Sequence, residues 1–283
     1  MEPLSSEEIR LAIEASLAED VGPGDVTTLA TVPPNAHAAA VIVAREPIVV
    51  AGLGFAMQAF RLLSRDIDLV EQCADGESIP PGRSVLNIRG QARAILTAER
   101  VALNFLQRLS GVASMTRLFV DAVVGTNAKI LDTRKTTPGW RRFEKYAVAC
   151  GGGQNHRFGL FDMVLIKDNH LVALRDEQPS AIAAAVARAR KNYPNLKVEV
   201  EADNLDQVRQ ALDAGADIIL LDNMPLENLR AAVNLVRGAA KLEASGGVNL
   251  NTVRSIAETG VDFISVGAIT HSARAVDLAL DFK

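Results

Sequence analysis

The sequence of 283 residues predicts an α/β protein in which a mixed unit of strands and helices is followed by the strand–helix units of a parallel α/β barrel. Two observations support this fold class. Up to about residue 110, strand-like stretches alternate with turns and are flanked by helical stretches. After about residue 125, six short apolar runs recur, and the last four are spaced by about 20 to 24 residues, the length of one strand–helix unit.

The first unit is predicted to open with a helix. Its sequence, SSEEIRLAIEASLAED, starts with serine and two acids, which are typical of a helix cap, and it places Ile9, Ile13 and Leu17 on one face. The glycines and proline of VGPGDVTT end this helix. Three stretches that follow are typical of strands: AAAVIVAR, DLVEQCADGESIP and SVLNIRGQARAIL.

A long helix is predicted next, over TAERVALNFLQRLSGVASMTRLFVDAV. Thr97 is expected to cap it, and Gly111 indicates either a break or a place of close packing. The predicted buried face consists of Ala98, Val101, Ala102, Phe105, Leu106 and Leu109. The residues predicted on the opposite side are Arg100, Asn104, Gln107 and Arg108.

The six later apolar runs are AKILD, DMVLIKDNH, LKVEVEAD, ADIILLDN, AKLEASGG and VDFISVGA. Helices between the last of them are predicted to begin near Asn204, Pro225 and Asn249. Each run ends in polar residues or glycine. One such residue is most often an ordinary solvated strand end, but in a barrel all six ends share the face that carries the active site. The pattern therefore predicts one pocket built from several strands.

Composition excludes several classes of function. The net charge of −4 gives no basic field for nucleic acid, so any anion must be held locally. The two cysteines, Cys73 and Cys150, lack metal-ligand spacing and indicate buried thiols in a reducing cytosol. The longest apolar stretches, such as residues 47–60, are too short to span a bilayer, and the first residues lack a secretion signal. We expect a cytoplasmic protein that binds neither nucleic acid nor membrane.

Residues 132–157 concentrate six Lys or Arg residues, which suggests an anion site. Guanidinium groups pair with planar carboxylates, and Arg134, Lys135 and Arg157 all follow strand or glycine segments. The alternative is a solvated basic loop. Gly151–Gly153 permit close backbone approach and the turn at residues 137–139 fixes the loop, which favours a built site.

Two further groups of residues could bind ligands. Glycines in SGG (residues 245–247) and SVGA (residues 265–268) follow consecutive late strands, where backbone N–H groups and helix starts hold phosphate, although either alone is as often a tight turn. Glu201 and Asp222 end neighbouring strands and could bind Mg²⁺ or a sugar diol, or form an internal ion pair with Lys167. No nucleophile elbow, P-loop or dinucleotide fingerprint occurs.

Five blocks, LDTRKTTPGWR, GGGQNHRFGLFDMVLIKDNH, VEVE, LLDNM and EASGGV, resemble those of quinolinate phosphoribosyltransferase, also called decarboxylating nicotinate-nucleotide pyrophosphorylase. The similarity runs from EDVGPGDVTT to THSA. It implies an N-terminal α/β sandwich domain (residues 1–112, with residues 271–283 packed on it) and an open, incomplete parallel α/β barrel (residues 113–270). It also implies a homodimer and leaves higher assembly open.

The resemblance implies a reaction in which quinolinate and phosphoribosyl pyrophosphate, with Mg²⁺, give nicotinate mononucleotide, CO₂ and pyrophosphate. Arg134, His156, Arg157 and Lys167 would bind the quinolinate dianion, and Lys135 would lie between the substrates. Glu201 and Asp222 would hold the ribose hydroxyls and Mg²⁺, directly or through water. The implied binding set is completed by Arg100, Thr133, Ser245, Gly246, Gly247, Val266, Gly267 and His271.

Arg100 has two interpretations. Helical periodicity favours a solvated surface arginine, whereas the resemblance implies that it reaches the quinolinate site of the partner subunit. Two other functions stay open from the sequence: a paralogous phosphoribosyltransferase acting on another substrate, and a non-catalytic barrel that binds a phosphorylated metabolite. Consumption of quinolinate with release of CO₂ would distinguish quinolinate phosphoribosyltransferase activity from both of these alternatives.

Overall fold

The computed structural model describes residues 3–283, which form two compact units. The first comprises the described part of Met1–Arg117 together with Pro138–Gly152 and Ser272–Lys283, and the second comprises Leu118–Thr137 and Gly153–His271. No helix within residues 3–283 is both long and apolar enough to cross a membrane.

The helices are, in chain order, α1 Ser6–Val21, α2 Val26–Thr31, α3 Leu53–Leu63, α4 Ala92–Ala122, α5 Arg141–Cys150, α6 Asp168–Val172, α7 Ala181–Asn192, α8 Leu205–Asp213, α9 Leu226–Val236, α10 Val253–Ala257 and α11 Ala268–His271. The strands are β1 His37–Ala44, β2 Ile48–Val49, β3 Asp68–Glu71, β4 Ser78–Ile79, β5 Ser84–Gln91, β6 Lys129–Leu131, β7 Val164–Ile166, β8 Val198–Ala202, β9 Ile218–Asp222, β10 Lys241–Ser245, β11 Phe263–Ser265 and β12 Leu278–Phe282.

The first unit is built on a four-stranded antiparallel sheet in the order β12-β1-β5-β3, with β2 and β4 paired separately. The chain's last strand, β12, pairs with β1 from Ala44↔Leu278 to Ala40↔Phe282. Helix α1 begins as predicted: the Ser5 hydroxyl accepts from the N–H of Glu8, whose carboxylate accepts from the N–H of Ser5. Both cysteines are free thiols, with Cys73 buried and Cys150 only half-buried.

Helix α4 corrects two expectations and decides between the two alternatives for Gly111. It begins at Ala92, so the residues ARAIL, predicted as strand, are helical; Ala92, Ile95 and Ala98 recur at helical spacing and are all buried. Thr97 therefore lies inside the helix and caps nothing, and its hydroxyl instead donates to Asp25 Oδ2 at 3.0 Å. The helix runs unbroken through Gly111, where a Cβ would lie 1.9 Å from the carbonyl oxygen of Arg274, so close packing explains this glycine. The predicted buried face is confirmed.

The second unit contains a six-stranded parallel sheet in the order β6-β11-β10-β9-β8-β7. The predicted strands are all present, and Asn204 caps α8 by accepting from the N–H of Gln207 at 3.0 Å. Helix α10 starts later than predicted, at Val253, because residues 249–252 form hydrogen-bonded turns first. Within the described residues β6 and β7 stay unpaired with each other, so the barrel is open, as predicted. The expected α/β class, a sandwich followed by an incomplete parallel barrel, is confirmed.

Candidate active site

A cavity of about 930 Å³ lies in the second unit where the parallel strands end. Parallel strands bring their carboxyl ends to one edge, so residues distant in sequence meet there. Most of the residues predicted from sequence line it: Thr133, Arg134, Lys135, His156, Arg157, Lys167, Glu201, Asp222, Ser245, Gly246, Gly247, Gly267 and His271. The prediction that several strands build one pocket is confirmed.

Buried Asp132, at the end of β6, organises the basic wall of the cavity. Its Oδ1 accepts from the N–H of His156 and its Oδ2 from the Asn155 amide, each at 2.8 Å. Together with the bridge between Leu131 and Gln154, these bonds hold the segment after the glycine run beside β6. One buried carboxylate thus sets the position of two cationic segments.

The basic wall places two arginine side chains close together, an arrangement that a bound anion would stabilise. Burial lowers the pKa of Arg157 and the charge of the neighbouring Arg134 lowers it further, while Glu199 and Asp162 offset only part of these two effects. One Arg157 Nη donates to the carbonyl of Met163 at 3.2 Å, which fixes the direction of the side chain. A planar dicarboxylate would relieve this repulsion.

The basic stretch of the sequence does not act as one cluster. Arg142 and Lys145 lie on α5 in the first unit, where Arg142 donates to Glu8 at 2.8 Å and Lys145 is fully buried. Only the two ends of the stretch, at residues 133–135 and 156–157, line the cavity.

His156 contacts two buried acids that the sequence analysis did not single out. Its Nε2 lies 3.1 Å from Glu199 Oε2 and 3.4 Å from Glu243 Oε2. Burial opposes the charge on His156, but the two carboxylates outweigh it and raise its pKa to about 10. Burial in turn raises the pKa of Glu199. The available signal was an acid in the middle of an apolar strand, in VEVEA and KLEAS.

The carboxylate wall consists of Glu201 on β8 and Asp222 on β9. Lys167 donates to Glu201 Oε2, so the internal ion pair considered from sequence is present. Burial raises the pKa of Asp222, and the charge of Glu201 adds to this effect. Carboxylates that repel one another in this way are suited to a divalent cation or to a pair of hydroxyl donors.

Glycines form the third wall. Gly246 and Gly247 have φ of 95° and 60°, values that favour glycine, in the turn after β10. A Cβ on Gly267 would lie 3.1 Å from the His271 ring and 3.2 Å from Lys135 Cδ, so a larger residue there would push against both side chains. Two tight turns beside a lysine and a histidine form a setting for a phosphate group.

Two predicted binding residues lie elsewhere. Val266 is buried and donates its N–H to the carbonyl of Leu131 at 2.9 Å, and it does not line the cavity. Arg100 lies on α4 in the first unit with 58% of its side chain exposed, 4.0 Å from Glu99.

Family models match nearly the whole chain: the C-terminal domain of quinolinate phosphoribosyl transferase over residues 112–281 and its N-terminal domain over residues 25–110. The chain is 42% identical to the nicotinate-nucleotide pyrophosphorylase (carboxylating) of Mycobacterium leprae, with 96% of each chain covered. It is 40% identical to the probable nicotinate-nucleotide pyrophosphorylase (carboxylating) of Bacillus subtilis, covering 93% of this chain and 89% of that one.

Solved structures are similar over the full length as well. NadC from Streptococcus pyogenes matches with a TM-score of 0.94 and 40% identity, with 100% of each chain covered. The nicotinate-nucleotide pyrophosphorylase from Francisella tularensis matches with a TM-score of 0.93 and 42% identity, covering 99% of this chain and 98% of that one.

Proposed function

This chain belongs to the quinolinate phosphoribosyltransferase family, and we propose that the cavity at its parallel strand ends is where quinolinate meets phosphoribosyl pyrophosphate. The enzyme transfers the phosphoribosyl group to quinolinate in de novo NAD biosynthesis and forms nicotinate mononucleotide, CO₂ and pyrophosphate. The observation that supports this location is the presence of three complementary walls, cationic, carboxylate and glycine-rich, around one cavity.

Each wall suits one part of the substrate pair. Arg134, Arg157 and Lys167 supply charge for the two quinolinate carboxylates, and His156 completes that wall. Glu201 and Asp222 face the ribose hydroxyls, and the turns at Gly246 and Gly267, with His271, take the 5′-phosphate. Two anion sites in one cavity favour a transferase over a protein that binds a single phosphorylated metabolite.

The chemistry needs positioning more than proton transfer. The quinolinate nitrogen attacks the ribose C1 through its own lone pair, so no general base has to remove a proton. As pyrophosphate leaves, positive charge develops at C1, and Glu201 and Asp222 stabilise it electrostatically. The ring nitrogen is then cationic and stabilises the carbanion left at C2 when the adjacent carboxylate departs as CO₂, and a proton from water adds to C2 to complete nicotinate mononucleotide. Holding the reactants in this order supplies most of the rate enhancement.

Mg²⁺ is the proposed cofactor. Asp222 and Glu201 are oxygen ligands of the type that Mg²⁺ prefers, and burial together with the charge of Glu201 raises the pKa of Asp222, an effect that a bound divalent cation would oppose. When bound, Mg²⁺ would neutralise charge on the pyrophosphate leaving group. Glu201 and Asp222 would hold it directly or through water.

The enzyme is further proposed to be a cytoplasmic homodimer whose Arg100 completes the quinolinate site of the partner subunit. In support, more than half of the Arg100 side chain is exposed, on the side of α4 opposite its buried face, where a partner subunit could reach it. A two-fold dimer would make such an exchange reciprocal.

The test combines turnover with binding. With both substrates and Mg²⁺, we expect quinolinate loss matched by CO₂ release, and loss of activity without Mg²⁺. A paralogous transferase would leave quinolinate unchanged, and a binding protein would retain phosphoribosyl pyrophosphate without turnover. Arg157→Ala should weaken quinolinate binding about 10- to 150-fold, the range for a lost charged hydrogen bond, and leave phosphoribosyl pyrophosphate binding nearly intact. Equal losses for both substrates in calorimetry would remove Arg157 from the quinolinate site.

A further inference from the structure

Both ring nitrogens of His156 have partners inside the protein. Nδ1 accepts a hydrogen bond from the backbone N–H of Arg157 at 2.8 Å, and Nε2 lies 3.1 and 3.4 Å from the carboxylates of Glu199 and Glu243. Only 8% of the His156 side chain is exposed. A histidine that binds a substrate carboxylate needs an N–H directed at the ligand, and in this arrangement the ring nitrogens are used for other contacts.

Glu199 and Glu243 are two buried carboxyl groups whose ion-pair contacts are made to His156. They are 0% and 1% exposed, and none of their four carboxylate oxygens has a hydrogen bond of good geometry within residues 3–283. Buried carboxylates without hydrogen bonds are rare in folded proteins because they lose the solvation of water without replacement. His156 Nε2 lies 3.1 Å from Glu199 and 3.4 Å from Glu243, so the two carboxyl groups form a seat beneath the imidazole ring.

The seat connects to the substrate cavity through Arg157. The N–H of His156 is held by Asp132, the ring is held by the two acids, and the ring in turn receives the N–H of Arg157. The next group outward is the Arg157 guanidinium, which lines the cavity. Fixing the ring therefore fixes the backbone from which that guanidinium projects.

We propose that His156 is a positioning residue rather than a direct ligand of quinolinate: Glu199 and Glu243 clamp its ring, and the ring orients Arg157 for the substrate dianion. This inference rests on the proposed function only for the identity of the dianion. Glu199 and Glu243 are not among the binding residues predicted from the sequence, and the proposal gives them a role in orienting Arg157.

The clamp specifies where the imidazole proton lies. A nitrogen that accepts a backbone N–H carries no proton, so Nδ1 must be bare and Nε2 protonated. The raised pKa of His156 points to a second proton, which Nδ1 cannot hold while it accepts from Arg157. The hydrogen bond from the Arg157 N–H to Nδ1, at 2.8 Å, favours the neutral ring over the doubly protonated one. We therefore expect the neutral tautomer with its proton on Nε2.

Nitrogen NMR of the histidine rings tests this directly, since the chain has only four histidines. In uniformly ¹⁵N-labelled protein, the His156 signals, identified by their loss in His156→Gln, should show a protonated Nε2 and a bare Nδ1. Saturation with quinolinate, without phosphoribosyl pyrophosphate, should leave this tautomer unchanged. A protonated Nδ1 in the free protein, or a change of tautomer with quinolinate, would overturn the proposal. The free-protein measurement remains decisive even if quinolinate fails to bind and the proposed function falls.

A double-mutant cycle tests the route through His156. Glu243→Gln keeps the size of the side chain and should weaken quinolinate binding about tenfold, as expected for a displaced charged contact, with phosphoribosyl pyrophosphate binding unchanged. His156→Gln should have a similar effect, and the double variant should be no worse than His156→Gln alone. Additive losses would mean that the seat acts independently of His156 and would contradict the proposal.

A metal assay excludes the main alternative for this cluster. The donor atoms of His156, Glu199 and Glu243 all lie within 4.8 Å of one another, which a divalent cation could also bridge. We expect purified protein to hold no stoichiometric metal that Glu243→Gln removes. One bound equivalent lost in that variant would make Nε2 a metal ligand without a proton and would overturn the clamp.

Discussion

Asn223 lies so close to Gly246 that a Cβ on the glycine would be 2.1 Å from the Asn223 Oδ1. The same amide donates to Asp222 Oδ2 at 2.6 Å, and the Asn223 backbone N–H donates to the carbonyl of Ser245 at 2.9 Å. One residue thus connects the carboxylate wall to the glycine wall.

This contact predicts that Asn223→Gly selectively weakens phosphoribosyl pyrophosphate binding. Glycine keeps the positive φ of 52° but removes the donor to Asp222, so we expect roughly a tenfold loss for that substrate and little change for quinolinate in calorimetry. Arg237→Gly is the matched control, because Arg237 has a φ of 49° at the end of α9 and lies outside the cavity lining. A similar loss in both variants would indicate a general effect on the unit.

Removing one carboxylate charge should separate metal use from quinolinate binding. Glu201→Gln and Asp222→Asn are expected to lower turnover and weaken the dependence on Mg²⁺, because each removes an oxygen charge that the cation needs. Quinolinate affinity should stay nearly intact. Unchanged Mg²⁺ titrations of activity in both variants would leave Glu201 and Asp222 with a purely structural role, the former as the partner of Lys167.

Subunit mixing tests the role of Arg100. Arg100→Ala and Lys135→Ala should each be nearly inactive alone. After subunit exchange, half of the dimers are hybrids with one intact and one doubly damaged site, so activity should recover to roughly a quarter of wild type for a two-fold dimer. Absence of recovery, with exchange verified by mass spectrometry, would show that Arg100 does not act across an interface.

Gly111→Ala should destabilise the first unit by about 1–3 kcal/mol, the usual cost of overpacking. The new Cβ would meet the Arg274 carbonyl, which is backbone and cannot rotate away. Gly54→Ala, in α3, is the control, since its Cβ would meet only the end of the Ile9 side chain at 3.3 Å. Thermal unfolding of the two variants should differ clearly, and equal stabilities would refute close packing at Gly111.

Stability at low pH should depend on Glu8. Hydrogen bonds from Arg142 and then from the Ser5 backbone lower the pKa of Glu8 from 4.5 to about 2. A lowered carboxyl pKa stabilises the folded protein above pH 4.5, and this contribution is lost as the pH falls toward 2. Because 37% of the side chain is exposed, solvent screening limits the effect to about 0.5–1 kcal/mol.

We therefore expect Glu8→Gln to lower the free energy of unfolding at pH 7 by about that amount and to match wild type near pH 2. Glu19→Gln, at an exposed position of the same helix, should change little at either pH. A Glu8→Gln deficit of equal size at both pH values would assign the effect to helix capping alone.

The sequence alone determined helices α1 and α4, the six strands of the second unit and the chemistry at the ends of those strands, but it did not predict α3 or α5. Runs such as IILLD in β9 are buried along most of their length and read as strands because their apolar character is local and continuous. Caps at Ser5 and Asn204 were equally readable, since a cap is a contact over three residues. The motif blocks identified the family and therefore the open barrel.

Only the tertiary structure decided which distant residues meet. The seat of Glu199 and Glu243 beneath His156 depends on the packing of β8, β10 and the segment after Gly153, and the basic stretch is divided because α5 belongs to the first unit. Thr97 was predicted to cap a helix, but in the structure it lies inside α4 and its hydroxyl donates to Asp25. The physical reason is that helix caps and apolar runs are short-range, whereas these contacts arise when separated segments pack, and sequence spacing does not encode that geometry.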